Sequence, residues 1–272
     1  MKYFIRSNIT NKEKEMVKGY YYAKQKIKKI KIVIDYPVTS LAGLFKECKS
    51  INKINFIQFY RKNITNMSQL FYGSGLRQLD IKNFVTNNVT DMSDMFSLCT
   101  YLKNINLSSF NTQEVTDMSF MFAECESLVN LDLTTFKTDN LTRMEKMFFE
   151  CLKLENVNLA SFNTSKVFDM SGLFSGCQAI KNINLNNFDT SNLIYTEKMF
   201  EFCYAIEEID LSNFKTGPIL SMSFMFRECQ NLKTVNIINF KCDKECETKG
   251  VFEGCKSLVH FICSEDLKNR II

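Results

Sequence analysis

Eight of the eleven cysteines fall in one register. Cys48, Cys99, Cys125, Cys151, Cys177, Cys203, Cys229 and Cys255 each stand three residues after a Met-Phe, Leu-Phe or Val-Phe pair, and Ser74 holds the same place after Leu70-Phe71. Thiols can form disulfides, hold a soft metal or act as nucleophiles. Stacked Cα atoms about 5 Å apart lie within bridging range, but parallel, in-register Cβ vectors do not give the near-perpendicular torsion of a disulfide. Cysteine also packs as a small, well-buried hydrophobe. The column is therefore expected to be a stack of reduced, inward-pointing thiols. Cys242, Cys246 and Cys263 stand outside the register, with Cys255 between them. These four could bind zinc, form one or two disulfides or stay free; the CxxxC spacing is loose for zinc and lacks a second close pair.

Other chemistry finds less support. His260 is the only histidine, and no glycine-rich phosphate-binding loop occurs. A polar column at Asn106, Asp132, Asn158, Asn184, Asp210 and Asn236 repeats in step with the cysteines. Asp80 and Asp132 belong to units two apart, roughly 10 Å, too far to share a calcium ion with its six to eight oxygens at about 2.3–2.6 Å. The column is read as a stacked amide ladder that ties turn to turn, with hydrogen bonding to a ligand as its functional alternative. No catalytic, cofactor-binding or metal-binding residue is expected, and the chain is not expected to be an enzyme.

These columns require an element that repeats. The later units are spaced 26 residues apart, and Leu70 to Met95 is one residue short. Each unit carries an LxxLxL pattern, as in Leu128-xx-Leu131-x-Leu133, whose final alternation is the period of a half-buried strand. A phenylalanine follows (Phe110, Phe136, Phe162, Phe188, Phe214), then a second apolar stretch such as Val115, Met118, Met121, Phe122 and Cys125. Offsets of three and four predict a short helix there, with Thr90, Thr116 and Thr142 as N-caps. One such unit cannot bury its apolar face alone, so the units must stack into a solenoid. The expected architecture is α/β: a parallel sheet on the concave side and short helices on the convex side. Nine strands are readable, starting at Ile51, Leu76, Leu102, Leu128, Leu154, Ile180, Ile206, Leu232 and Leu258, with a degenerate one at Ile27, Ile30 and Ile32. Residues 1–26 then form a basic arm or cap, 27–262 the solenoid and 263–272 the tail of the C-terminal cap.

Composition narrows the partners. Residues 1–35 hold ten Lys/Arg against three Asp/Glu, while the rest is slightly acidic. Basic residues gathered in one arm do not line a nucleic-acid-binding face, so no nucleic acid is expected. No apolar run is long enough to span a membrane. The stretch Met1–Thr10 lacks the apolar core of a secretory signal, which points to the cytoplasm. The column next to the asparagines (Lys53, Gln78, Asn104, Asn130, Asn156, Asn182, Glu208, Thr234, His260) has no Trp, Tyr or Arg anchor. The repeat is broken elsewhere: Phe168, Ile194 and Leu220 replace threonine in three successive units, and Tyr195 stands where other units have Asp117 or Asp169. If these four side chains are exposed, they form an apolar ridge and a candidate partner-binding site; if buried, they fill a local gap.

The pattern NxLxxFNTxxVTDMSxMFxxCxxL, nearly complete at Asn106–Leu128 and Asn158–Ile180, resembles the bacterial surface protein 26-residue repeat, the BspA-like class of leucine-rich repeats. The resemblance covers residues 38–262. It implies a leucine-rich-repeat solenoid and a non-catalytic surface or adhesin-like protein that engages a protein or cell-surface ligand. The alternative is an intracellular scaffold or protein–protein interaction module.

Overall fold

The computed structural model describes residues 3–7, 10–16, 30–33, 38–56, 59 and 61–271. The chain divides into two units, Met1–Thr39 and Ser40–Ile272. In the first, β1 (Tyr3–Ser7) pairs antiparallel with both β2 (Thr10–Met16) and β3 (Ile30–Val33). The degenerate strand read at Ile27, Ile30 and Ile32 therefore corresponds to β3 in an antiparallel sheet, with Ile27 outside the described residues.

The second unit is the solenoid. Its LxL segments form β4 (Lys53–Asn55), β5 (Gln78–Asp80), β6 (Asn130–Asp132), β7 (Asn156–Asn158), β8 (Glu208–Asp210), β10 (Thr234–Asn236) and β12 (His260–Ile262), each three residues long. Their pairings, β4 with β5, β6 with β7, and β8 with β10 with β12, are parallel and in register one repeat apart. Two segments expected as strands, 104–106 and 182–184, form no regular ladder. A second parallel contact runs along the next corner, from Ser40 through Asn66, Asp91, Asp117, Arg143, Asp169 and Tyr195 to Ser221. Near the C-terminus β9 (Pro218–Ser221) pairs with β11 (Lys241–Glu247), and α1 (Glu265–Ile271) follows β12.

The expected convex helices are absent among the described residues; a wall of stacked turns takes their place. In the segment 92–99, Met95, Ser97 and Cys99 donate their N–H groups three residues back, to Met92, Asp94 and Phe96. The alternate N–H groups leave the segment altogether: Met92, Asp94, Phe96 and Leu98 donate to the carbonyls of Asp117, Ser119, Met121 and Ala123 in the next coil. An α-helix would turn all of them inward. Two left-handed residues per coil make this possible, as at Asp94 (φ 55°) and Leu98 (φ 60°), or Phe120 (φ 56°) and Glu124 (φ 57°). Apolar residues at offsets of three and four still face inward, which is why the sequence periodicity reads as helical.

The core is a set of columns. Phe45, Phe71, Phe96, Phe122, Phe148, Phe174, Phe200, Phe226 and Phe252 stack ring on ring at 5.3–6.0 Å. A second series runs from Phe84 through Phe110 and Phe136 to Phe162, and resumes from Phe188 through Phe214 to Phe240. Methionines such as Met92, Met95, Met118 and Met121 are also fully buried. The short unit is accommodated at Gly75, where Ser74-Gly75-Leu76 replaces the usual Cys-x-x-Leu. A Cβ on Gly75 would sit 2.0 Å from the carbonyl oxygen of Lys49, so only glycine passes there.

Candidate functional site

The cysteine column is as expected. Cys99, Cys125, Cys151, Cys177, Cys203 and Cys229 are free and fully buried. Each thiol donates to the carbonyl of a phenylalanine in the preceding coil: Cys125 to Phe96 at 3.2 Å, Cys151 to Phe122 at 3.1 Å, Cys229 to Phe200 at 3.0 Å. Ser74 keeps its place in the ladder, 3.5 Å from the Cys99 sulfur. Burial raises the thiols' pKa, Cys99 to about 11 and Cys151 to about 12. A thiolate nucleophile needs the opposite environment.

The cysteines of the C-terminal cap are resolved as one bridge and two free thiols. Cys242 and Cys246 form a disulfide, while Cys255 and Cys263 are free. Among the described residues no cluster of three or more His, Cys, Asp or Glu side chains is arranged to hold a metal ion. His260 is exposed on β12.

The polar column has a different role from the one its repetition suggested. The side-chain oxygens of Asn106, Asp132, Asn158, Asn184, Asp210 and Asn236 accept the N–H two residues later in their own coil, at 2.9–3.2 Å. These are Asx turns that close each LxL segment. Hydrogen bonding to both backbone and side chain of Thr134 lowers the pKa of Asp132. The tie between coils lies instead in a buried threonine column. Thr112 Oγ1 donates to the Lys137 carbonyl at 2.9 Å and accepts the Lys137 N–H at 2.8 Å; Thr86 and Thr138 do the same with Asn111 and Asn163. A hydroxyl is both donor and acceptor, so one side chain serves two backbone groups of the next coil. The sequence signal was the Thr of a Phe-x-Thr triplet, recurring once per repeat from Thr86 to Thr216. Beside the Asx column, Asn104, Asn130, Asn156 and Asn182 line a shallow groove of about 720 Å³ whose floor includes Ile105, Leu131 and Val157.

Thr90, Thr116 and Thr142 cap no helix, since none is there. Their hydroxyls donate to the carbonyls of Thr65, Thr90 and Thr116 in the preceding coils, at 3.2, 3.1 and 3.0 Å. The capping chemistry falls one residue later: Asp91, Asp117 and Asp169 accept the N–H of Ser93, Ser119 and Ser171 at 2.9, 2.9 and 2.7 Å. Where isoleucine and leucine replace the threonine, the backbone bonds persist. Ile194 N–H donates to the Phe168 carbonyl at 2.9 Å, and Leu220 N–H to the Ile194 carbonyl at 3.0 Å. Phe168 is 41% exposed and Leu220 43%, while Ile194 and Tyr195 are half-buried. The side-chain hydrogen bond made by threonine is lost at these positions.

One further pair lay unrecognised in the sequence. Glu201 and Arg227 occupy the same place in adjacent units and form an ion pair, with Glu201 almost fully buried. Arg227 also lies over the rings of Phe202 and Phe224, at 5.2 and 4.7 Å. Opposite charges exactly one repeat apart were the available signal.

No curated protein matches the chain. Among solved structures it is similar to a leucine-rich repeat protein from Bacteroides ovatus, with 16% identity, 95% of this chain and 92% of that one covered, and a TM-score of 0.28. It is also similar to a leucine-rich cell surface protein from Faecalibacterium prausnitzii, with 15% identity, 86% and 79% covered, and a TM-score of 0.26. A family model described as "Mycoplasma protein of unknown function, DUF285" matches twice, over residues 39–158 and 144–264, on the same 26-residue coils. The chain is a repeat solenoid and belongs to the DUF285 family.

Proposed function

We propose that the protein is a non-catalytic binding module, and that it engages a protein or cell-surface ligand through the ridge of Phe168, Ile194, Tyr195 and Leu220. One observation carries the reading: large apolar side chains replace threonines in three consecutive coils, and the outer two, Phe168 and Leu220, are exposed while Ile194 between them is half-buried. The coil-to-coil backbone bonds at Ile194 and Leu220 match those of the threonine coils, so that ladder does not depend on the threonine side chain. Adjacent coils lie about 4.8 Å apart, which makes the ridge continuous. Apolar patches with an aromatic member are typical interface cores. The strand face, by contrast, presents one polar column committed to Asx turns and a neighbouring column of asparagines, and offers no aromatic anchor. Catalysis is not part of this reading, because the column thiols are buried with raised pKa values.

The test is a double substitution, Phe168→Thr with Leu220→Thr, which restores the residue of the neighbouring coils. Capture of partners from the native organism, quantified by mass spectrometry, should fall at least tenfold while the melting temperature stays within about 2 °C. Unchanged capture by a stable double variant would remove the ridge from the reading. Loss of capture on substituting Asn130 and Asn156 instead would move the site to the strand face.

A further inference from the structure

The C-terminal helix is held in an unusual way. At seven residues, α1 (Glu265–Ile271) is too short to be stable alone in water. Its own capping is slight, with Ser264 Oγ accepting the Leu267 N–H at 3.4 Å. Three features dock it. Leu267 is buried to 1% exposure. Arg270 donates through its guanidinium to the main-chain carbonyls of Asp243, Lys244 and Cys246, and Thr248 Oγ1 donates to the carbonyl of Arg270 at 3.0 Å. The three carbonyls that receive Arg270 belong to the segment closed by the Cys242–Cys246 disulfide, whose Cα atoms lie 5.5 Å apart.

Carbonyls of nearly consecutive residues do not converge on one cation in an extended strand, where they alternate in direction. They converge here within the cross-linked segment, where the pairing of β11 with β9 breaks register between Cys242 and Glu247. We propose that the Cys242–Cys246 disulfide is a redox latch: oxidised, it shapes the carbonyl cup that holds Arg270 and docks α1 on the last coil; reduced, it releases the helix. The chemistry is a two-electron thiol–disulfide exchange with a dithiol. A donor thiolate attacks a sulfur of the bridge, and Cys242, half-buried, is the accessible one because Cys246 is buried. The S–S bond breaks and the Cys246 sulfur leaves as a thiolate that takes up a proton. The second donor thiol then resolves the mixed disulfide, leaving Cys242 as a thiol and the donor as its own disulfide. Among the described residues the column cysteines are already free, so a reductant has no other bridge there to act on.

The full chain is compared by hydrogen exchange with and without dithiothreitol, reading the amides of Leu267 and Lys268 against those of the central coils. Reduction should speed exchange in α1 by about tenfold to a hundredfold, the effect of losing hydrogen bonds to a charged group, with the central coils unchanged. Tryptic cleavage after Lys268 should accelerate in parallel. Arg270→Ala should release α1 in the oxidised protein. Cys242→Ser with Cys246→Ser should release it without reductant and abolish the response to dithiothreitol. Equal protection of α1 in both redox states would overturn the latch. So would finding α1 still protected in protein whose two cysteines are fully alkylatable without reductant, because the cup would then hold without the bridge.

Discussion

Replacing Phe122 by alanine tests whether stability is local in this solenoid. Phe122 is fully buried and stacks on Phe96 at 5.5 Å and on Phe148 at 6.0 Å, its planes within 8° and 4° of theirs. Truncating a buried phenylalanine costs about 3–5 kcal/mol from lost transfer energy and the remaining cavity. Loss of two aromatic contacts at about 0.5–1.5 kcal/mol each places the cost in the upper part of that range. Neighbouring coils cannot close the cavity easily, because each is fixed to the next by backbone bonds such as Phe96 N–H to the Met121 carbonyl at 2.9 Å. In a solenoid each repeat feels only its neighbours. Amides near Phe96, Phe122 and Phe148 should therefore exchange faster by two to three orders of magnitude or more. Protection at β4 and β12 should change far less. Hydrogen exchange by mass spectrometry reads this directly. Equal loss of protection from β4 to β12 would show a single cooperative unit and refute the reasoning.

Two other outcomes follow from particular contacts. Burial raises the column thiols above their unfolded pKa, so their contribution to stability is complete below about pH 9 and is lost as pH rises toward about 11 for Cys99 and about 12 for Cys151. Denaturation midpoints should fall steadily above pH 9, and a Cys125→Ala, Cys151→Ala variant should show a shallower fall; a flat profile to pH 11 would contradict the burial. At pH 8 iodoacetamide should label Cys263 before Cys125, Cys151 or Cys177, which are fully enclosed. Gly75→Ala should destabilise by roughly 1–3 kcal/mol or more, the scale of overpacking, since its Cβ would meet the Lys49 carbonyl carbon at 2.8 Å as well as the oxygen; a neutral result in thermal melts would mean the short coil is not as tight as described.

The register of the solenoid was legible because cysteine, phenylalanine and the LxL triplet recur every 26 residues. The inward thiols followed from that register. What sequence periodicity could not separate was a helix from a run of turns. Val115, Met118, Met121, Phe122 and Cys125 face the core in either case; the difference is whether the Phe120 and Phe122 N–H groups bond within the segment or to Glu145 and Met147 of the next coil, and they do the latter. That choice depends on a neighbour 25 residues away and is invisible in a local window. The same blindness misassigned the coil-to-coil tie. Asn158 and Thr138 both recur in step, and only the partners of their oxygens show that the first ends a strand while the second joins two coils. Exposure of Phe168 and Leu220 was foreseeable as one of two options, because the break in the threonine column marked them.

The turn wall also limits how this surface can vary. Its two left-handed columns hold Glu, Gln, Asp, Leu, Phe, Lys and Gly, and among the described residues no valine, isoleucine or threonine. A branched Cβ at positive φ is a genuine outlier, so these eighteen positions draw on a restricted alphabet. Descendants of such a chain can exchange charge for aromatic ring or for bare backbone there, changing what the wall displays without changing its path. Recognition that depends on shape at a branched carbon has to evolve elsewhere on the molecule. A duplicated coil would bring the same rule with it, so lengthening the array adds display area of a fixed chemical kind.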